Sequence, residues 1–179
     1  MMRKNIKIIW YLIIVLWGIH LVQIIFPINL LSYGIHPRST HGLMGILCAP
    51  FLHLNWNHLI ANTMPLCILL FISLTYNSKL TISASIFIIL MSGLMVWIFG
   101  KPASNHIGAS GLVFGLIGFL LGIGFFTREL KALLVSILVG SLYGYAIFSL
   151  LSIQAGISWA GHFFGFVSGV VFASFHRKD

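Results

Sequence analysis

Six apolar stretches follow one another with little between them: Ile8 to Phe26, Leu59 to Leu74, Leu80 to Phe99, Gly111 to Phe126, Ala132 to Ile153 and Trp159 to Phe175. A helix needs about 20 apolar residues to cross the hydrocarbon of a bilayer, and most of these runs are near that length. Nothing else in the chain dilutes them. Hydrophobic residues make up 59% of the sequence and charged residues 7%, with a mean hydropathy of +1.06, which excludes an ordinary water-soluble domain. The expected fold is an all-α membrane protein, a bundle of six transmembrane helices, and residues 1–179 read as a single domain with no added soluble domain. The longest piece between runs, Pro27 to Asn57, is too apolar ("LLSYGI", "GLMGIL") for a solvated loop and is expected to lie against the membrane interface.

The first run follows Arg3, Lys4 and Lys7, as a signal peptide would. It is long, keeps bulky residues to its end and lacks a small-residue cleavage site, so it reads as a retained helix. The formal charge of +8 is not a nucleic-acid signal, because the basic residues are not clustered with aromatics. They mark topology instead. With a cytoplasmic N-terminus, the inner side carries Arg3, Lys4, Lys7, Lys79, Arg128, Lys131, Arg177 and Lys178, and the outer side only Arg38 and Lys101. Both termini are then expected in the cytoplasm.

Cys48 and Cys67 sit in apolar context without metal-ligand spacing. The acidic residues exclude more. There are two, Glu129 in an inner loop and Asp179 at the end, neither inside an apolar run. An intramembrane aspartyl protease needs two facing carboxylates and a membrane metalloprotease needs H-E-x-x-H, so the chain can build neither.

The polar side chains left within the runs are therefore few, and such groups are costly at membrane depth. Ser110 opens the fourth run inside "HIGASGLVFGLIG", after a poor helix-forming segment, "GKPASNH". A serine there can back-bond to a carbonyl or permit close helix approach. It can equally be a nucleophile at the floor of a wet pocket, with Gly108 and Gly111 leaving access and free amides of the helix start nearby. A hydroxyl needs a base to accept its proton, and His162 in "WAGHFFGFVSG" is the candidate. His162 shares a face with Gly165 and Gly169, while Gly111, Gly115, Gly118 and Gly122 stripe the fourth run, so two glycine-lined helices can approach closely. Packing alone, with a histidine satisfying a carbonyl, remains open on this reading. His58 and Asn62 in "HLNWNHLIAN" are four apart on one helical face and offer donors to a common point, which suits an oxyanion hole. The rival is a metal site of His53, His58 and His162, disfavoured because His53, five before His58, would not share its face. His20 and Gln23, in the first run, are expected to hydrogen-bond neighbouring helices, and His106 to hydrogen-bond within its loop.

Together, H-x-x-x-N at His58 and Asn62, G-x-S-G at Gly108 to Gly111, and His162 with Gly165 and Gly169, in that order on the second, fourth and sixth runs, resemble the rhomboid intramembrane serine proteases. The resemblance implies a Ser110–His162 dyad with no acidic third member. It also implies an oxyanion hole from the Asn62 side chain, the Ser110 amide and His58. Substrates would be single-pass membrane proteins cut near the outer end of their helix and admitted laterally from the lipid bilayer, with no metal, cofactor or nucleic acid involved. His53 matches a further family histidine with a structural role. Two departures stand out: the first outer loop reads "RSTHGLMGILCAPFLH" instead of carrying a Trp-Arg pair, and Phe114 replaces a tyrosine that packs on the catalytic imidazole. The alternatives are an inactive rhomboid-like protein that binds transmembrane segments, and a small channel or transporter. The latter is weakened by the lack of acidic groups. The expected location is the plasma (inner) membrane of a prokaryote, as a multi-pass protein.

Overall fold

The structure, a computed structural model, describes residues 2–148, 150 and 158–177. Residues 151–153, at the end of the fifth apolar run, and Lys178 and Asp179 lie outside the described residues.

Among the described residues six α-helical elements are formed: α1 (Met2–Ile25), the single-turn α2 (Gly45–Cys48), α3 (Trp56–Phe99), α4 (Ser110–Thr127), α5 (Leu130–Phe148) and α6 (Trp159–Ser174). Among the described residues there is no strand, only one isolated antiparallel bridge between Ile35 and His106. Four helices, α1, α3, α4 and α5, are long and apolar enough to cross a membrane, and α6 is a shorter apolar helix. α1 begins earlier than its apolar run, at Met2, because no breaker separates the basic first turn from Ile8.

The 44 residues of α3 hold two of the expected runs. They cannot form one straight rod. Asn77 leaves helical geometry at φ −160°, ψ 107°, and its Oδ1 accepts from the Leu80 amide, capping the helix that restarts there. Ser73 Oγ and Thr81 Oγ1 are 2.7 Å apart, whereas eight residues of continuous helix would separate them by about 12 Å. The chain therefore doubles back at Asn77. That bend is held to α1 by Asn5 Nδ2 donating to the Leu74 carbonyl (3.0 Å) and Ser78 Oγ donating to Asn5 Oδ1 (2.9 Å), and to the start of α5 by Lys131 Nζ on the Tyr76 carbonyl (2.7 Å). These bonds gather Arg3, Lys4, Lys7, Lys79, Arg128 and Lys131 at one end of the bundle.

α4 is the central helix. It packs on α3, α5 and α6, most extensively on α6, and Leu116, Ile117, Phe119 and Leu120 are fully buried. α5 by contrast fully buries only Ala132 and Val139, packs Val135, Tyr143 and Ile147 partly against the core, and leaves Leu134, Ile137, Leu142 and Tyr145 exposed. Lipid tails are as apolar as leucine, so close helix pairs in a membrane depend on small residues that let backbones touch. The α4–α6 seam is built that way: Gly165 lies against the Gly111 carbonyl, Gly169 against that of Gly115, and Gly118 against Phe166. The pairing shows the two helices running parallel. Both start at the end opposite the basic cluster, and α6 ends near it.

The segment before α3 folds into short helical turns, Leu30–Tyr33, His41–Leu43, Gly45–Cys48 and Ala49–Phe51, pinned against the far end of α3. Arg38 donates to the carbonyls of Ile98 (2.8 Å) and Gly100 (3.0 Å), and Trp97 Nε1 donates to the Ser39 carbonyl (2.8 Å). A tryptophan and an arginine do anchor this loop, but the tryptophan comes from α3. No adjacent pair in the loop itself could have revealed it.

Candidate active site

At the end opposite the basic cluster, four segments meet: the start of α3, the loop before α4, and the first turns of α4 and α6. Asn55 Oδ1 accepts from the His58 amide (2.9 Å) and starts α3 there. His58 Nδ1 accepts from the Leu54 amide at 3.4 Å. With Nδ1 accepting, the neutral ring carries its proton on Nε2. That nitrogen faces Gly108, where a Cβ would lie 2.6 Å from it and 3.5 Å from Asn62 Nδ2. Asn62 is 5% exposed, and its Nδ2 donates back to the His58 carbonyl (2.9 Å), leaving one amide hydrogen for the Gly108 side. Two side-chain donors thus flank one backbone position, as the spacing of four implied.

Gly108 has to be glycine. Its φ of +107° is a conformation L side chains rarely adopt, and any side chain would strike the His58 ring. Its amide donates to the Ala49 carbonyl (2.8 Å), seating the loop on the segment before α3. Two residues on, Ser110 is the first residue of α4, half-buried, with Ala109 at the cap position. It lines a cavity of about 40 Å³ together with Gly108, Ser92, His106, Ser158 and Gly161.

His162 lies in the first turn of α6, its amide donating to the Ser158 carbonyl (3.1 Å). Its ring stacks on Phe114 with centroids 4.2 Å apart and planes at 17°. Phenylalanine therefore supplies the flat partner for the imidazole. Ser110 and His162 adjoin Gly111 and Gly161, which face each other: a Cβ on Gly111 would sit 3.4 Å from the Gly161 carbonyl oxygen. Ser110 and His162 thus stand in the first turns of two parallel helices, on the N-terminal side of the Gly111–Gly165 and Gly115–Gly169 contacts.

Three expectations need correction or extension. His53 and His58 were expected on different faces, yet their rings meet at 5.1 Å, because residues 52–55 are not helical and the helix-face argument does not reach them. Among the described residues no group of three metal-ligating side chains forms. His53 is fully buried, and burial, with His58 beside it, pushes its pKa down to about 4. In α1, Gln23 Nε2 donates to the His53 carbonyl (3.2 Å), a loop and not a helix, while His20 packs edge-on against Trp56 at 4.7 Å without a hydrogen bond among the described residues. His106 reaches beyond its own loop: it contacts Ser104 Oγ (2.8 Å) and also Ser158 Oγ (2.6 Å) on α6. Ser158, the helix cap, was legible as a serine just ahead of an apolar run but was not singled out.

A family model, the Rhomboid domain, matches residues 40–178. The chain belongs to the rhomboid family. It is an integral membrane protein, and similar proteins include uncharacterized proteins of Mycobacterium tuberculosis and Mycobacterium bovis, each 39% identical over 148 residues. An uncharacterized protein of Mycobacterium leprae is 36% identical over the same length. The match covers 78% of this rhomboid chain but only 62% of the first two relatives and 59% of the third.

Proposed function

We propose that this rhomboid domain is an intramembrane serine protease that cuts peptide bonds in or near transmembrane segments of single-pass membrane proteins. The observation that carries the reading is the convergence at Gly108: His58 Nε2 and Asn62 Nδ2 flank a glycine two residues before a serine that starts a helix parallel to the one bearing His162. Packing alone explains the glycine seam, but it gives no reason for two side-chain donors to face the loop that precedes Ser110.

In this mechanism Ser110 Oγ attacks the scissile carbonyl as His162 takes its proton. The carbonyl oxygen becomes negative beside the Ser110 amide, the Asn62 side chain and His58, each such donor being worth about 3 kcal/mol. His162 returns the proton to the leaving amine, and the new amino terminus departs. Water entering from the outer face then attacks the acyl ester, again with His162 as base, and frees Ser110. The reaction needs neither metal nor cofactor. Six crossings are proposed: α1, the two arms of α3, α4, α5 and α6. The basic end faces the cytoplasm of a prokaryotic plasma membrane, and the site lies near the outer leaflet.

A fluorescent fluorophosphonate tests the reading. The detergent-solubilised protein is expected to label, and Ser110→Ala and His162→Ala are each expected to abolish labelling while unfolding at the wild-type temperature. Equal labelling of Ser110→Ala would overturn it, and a folded wild type that never labels would leave a protein that binds transmembrane segments without cutting them.

A further inference from the structure

His106 stands four residues before Ser110, and Ser158 four before His162; one contact of 2.6 Å, His106 Nδ1 to Ser158 Oγ, joins them across 52 residues. Both ends of this tie are fixed. The backbone of His106 pairs in both directions with Ile35, N–H to carbonyl at 3.0 Å and carbonyl to N–H at 2.9 Å. Ser158 caps α6, its Oγ accepting from the Gly161 amide (3.2 Å) and its carbonyl from the His162 amide (3.1 Å).

We propose that His106 is a positioning residue that acts through Ser158 to fix the first turn of α6, and so sets the reach of His162 toward Ser110. This rests on the Ser110–His162 reading above. The hydrogen-bond directions are determined by what each group can do. Ser158 Oγ accepts from Gly161 and donates its own hydrogen to His106 Nδ1. His106 Nε2–H then donates to Ser104 Oγ, whose hydrogen goes to the Lys101 carbonyl. Reversing the ring tautomer makes Ser104 choose between His106 and Lys101 and leaves the Ser158 hydrogen without its acceptor. Of the two neutral tautomers, only the one protonated on Nε2 satisfies all four bonds. Burial, and then the neighbouring His36, hold His106 below the ordinary histidine value, which keeps the ring neutral.

A misplacement of about 1 Å between nucleophile and base costs on the order of 100-fold in rate. The test is the inactivation rate constant and the saturation constant for a fluorescent fluorophosphonate, measured with the full chain in detergent micelles. His106→Ala and Ser158→Ala are each expected to lower the maximal rate by roughly 10- to 100-fold with the saturation constant changed less than about twofold. The double variant should be no slower than either single one, because both remove the same bond. His106→Asn, whose Oδ1 occupies the place of Nδ1, should recover the rate to within about threefold. Amide hydrogen exchange at Gly161 and His162 should quicken in His106→Ala and return in His106→Asn. An unchanged rate in His106→Ala, a His106→Asn as slow as the alanine variant, or losses that multiply in the double variant would each overturn the proposal. If the wild type does not label, the protease reading fails, and exchange at Gly161 and His162 alone decides whether His106 fixes α6.

Discussion

Two glycines that look equivalent in the sequence should respond very differently to alanine. A Cβ on Gly165 would lie 3.0 Å from the carbonyl carbon of Gly111 and 3.1 Å from its Cα, and closer still to its oxygen. All three atoms belong to backbone inside α4, so no rotamer change relieves the clash. Ordinary contact needs the helices to part by about 1 Å, and forced separation of this kind in a packed interior costs about 1–3 kcal/mol. The strain falls within one turn of both Ser110 and His162, so the fluorophosphonate labelling rate should drop by roughly 100-fold. A Cβ on Gly111 would find its nearest neighbours at the Gly161 oxygen (3.4 Å), Ser92 Oγ (3.8 Å) and the Gly161 carbonyl carbon (4.0 Å), all ordinary distances. Gly111→Ala is therefore expected to stay within about 0.5 kcal/mol of wild type, with labelling within about threefold. Thermal unfolding in detergent, run beside the labelling assay, reads both quantities. Equal damage from the two substitutions, or a harmless Gly165→Ala, would refute the argument that backbone contact along this seam sets the site's geometry.

Asn62→Ala should slow labelling by about 100-fold or more with little change in unfolding temperature, since among the described residues Asn62 Nδ2 bonds only the His58 carbonyl of its own helix; a collapse in stability would mean that the side chain serves packing. Arg38→Ala should cost about 1 kcal/mol or more in unfolding measurements by releasing the carbonyls of Ile98 and Gly100, and Arg38→Lys, with one donor centre, should recover only part of it. Acid should destabilise the fold through His53. Its folded pKa of about 4 is below the ordinary 6.5, so between these values the unfolded chain binds a proton that the folded one refuses. The His53 contribution is complete above pH 6.5 and declines as pH falls toward 4, by at most about 1.4 kcal/mol per pH unit. His53→Gln should flatten that part of the unfolding profile, and an unaltered slope would exclude His53 as its source.

The apolar runs were legible because lipid imposes one strong rule on length and hydropathy, and the helices of the structure sit where those runs lie. The sharpness of the reversal between the second and third runs was not, since a single asparagine between apolar runs does not announce that the chain doubles back at Asn77. For the candidate site, the pair on one helix was readable, His58 with Asn62 by their spacing of four, and the family resemblance pointed to Phe114 as a flat partner for His162. The other contacts that cross between segments were not readable. Arg38 with the end of α3, His106 with Ser158, and His53 with His58 all depend on how irregular backbone is folded, where no periodicity applies.

The glycine stripe marks where periodicity stops being informative even on regular helices. Repeats at three and four residues identify the face that two helices share, and Gly111, Gly115, Gly165 and Gly169 do lie on it. They cannot say which member of the stripe touches backbone and which merely lies nearby. Gly165 meets the Gly111 main chain, Gly115 meets the buried Ile88 side chain, and Gly111 meets almost nothing at closer than ordinary distance. A substitution at Gly115 would press on the buried, β-branched Ile88 side chain, while one at Gly165 would press on the main chain of α4 and can be absorbed only by moving a helix. The motif G-x-S-G and the stripe overlap at Gly111, yet the space beside Gly111 shows that seam packing does not require glycine there. If Gly111→Ala disables labelling in a protein of wild-type stability, the requirement at that position belongs to access for the attacked carbonyl, and the chemical and packing roles of the stripe separate at one residue.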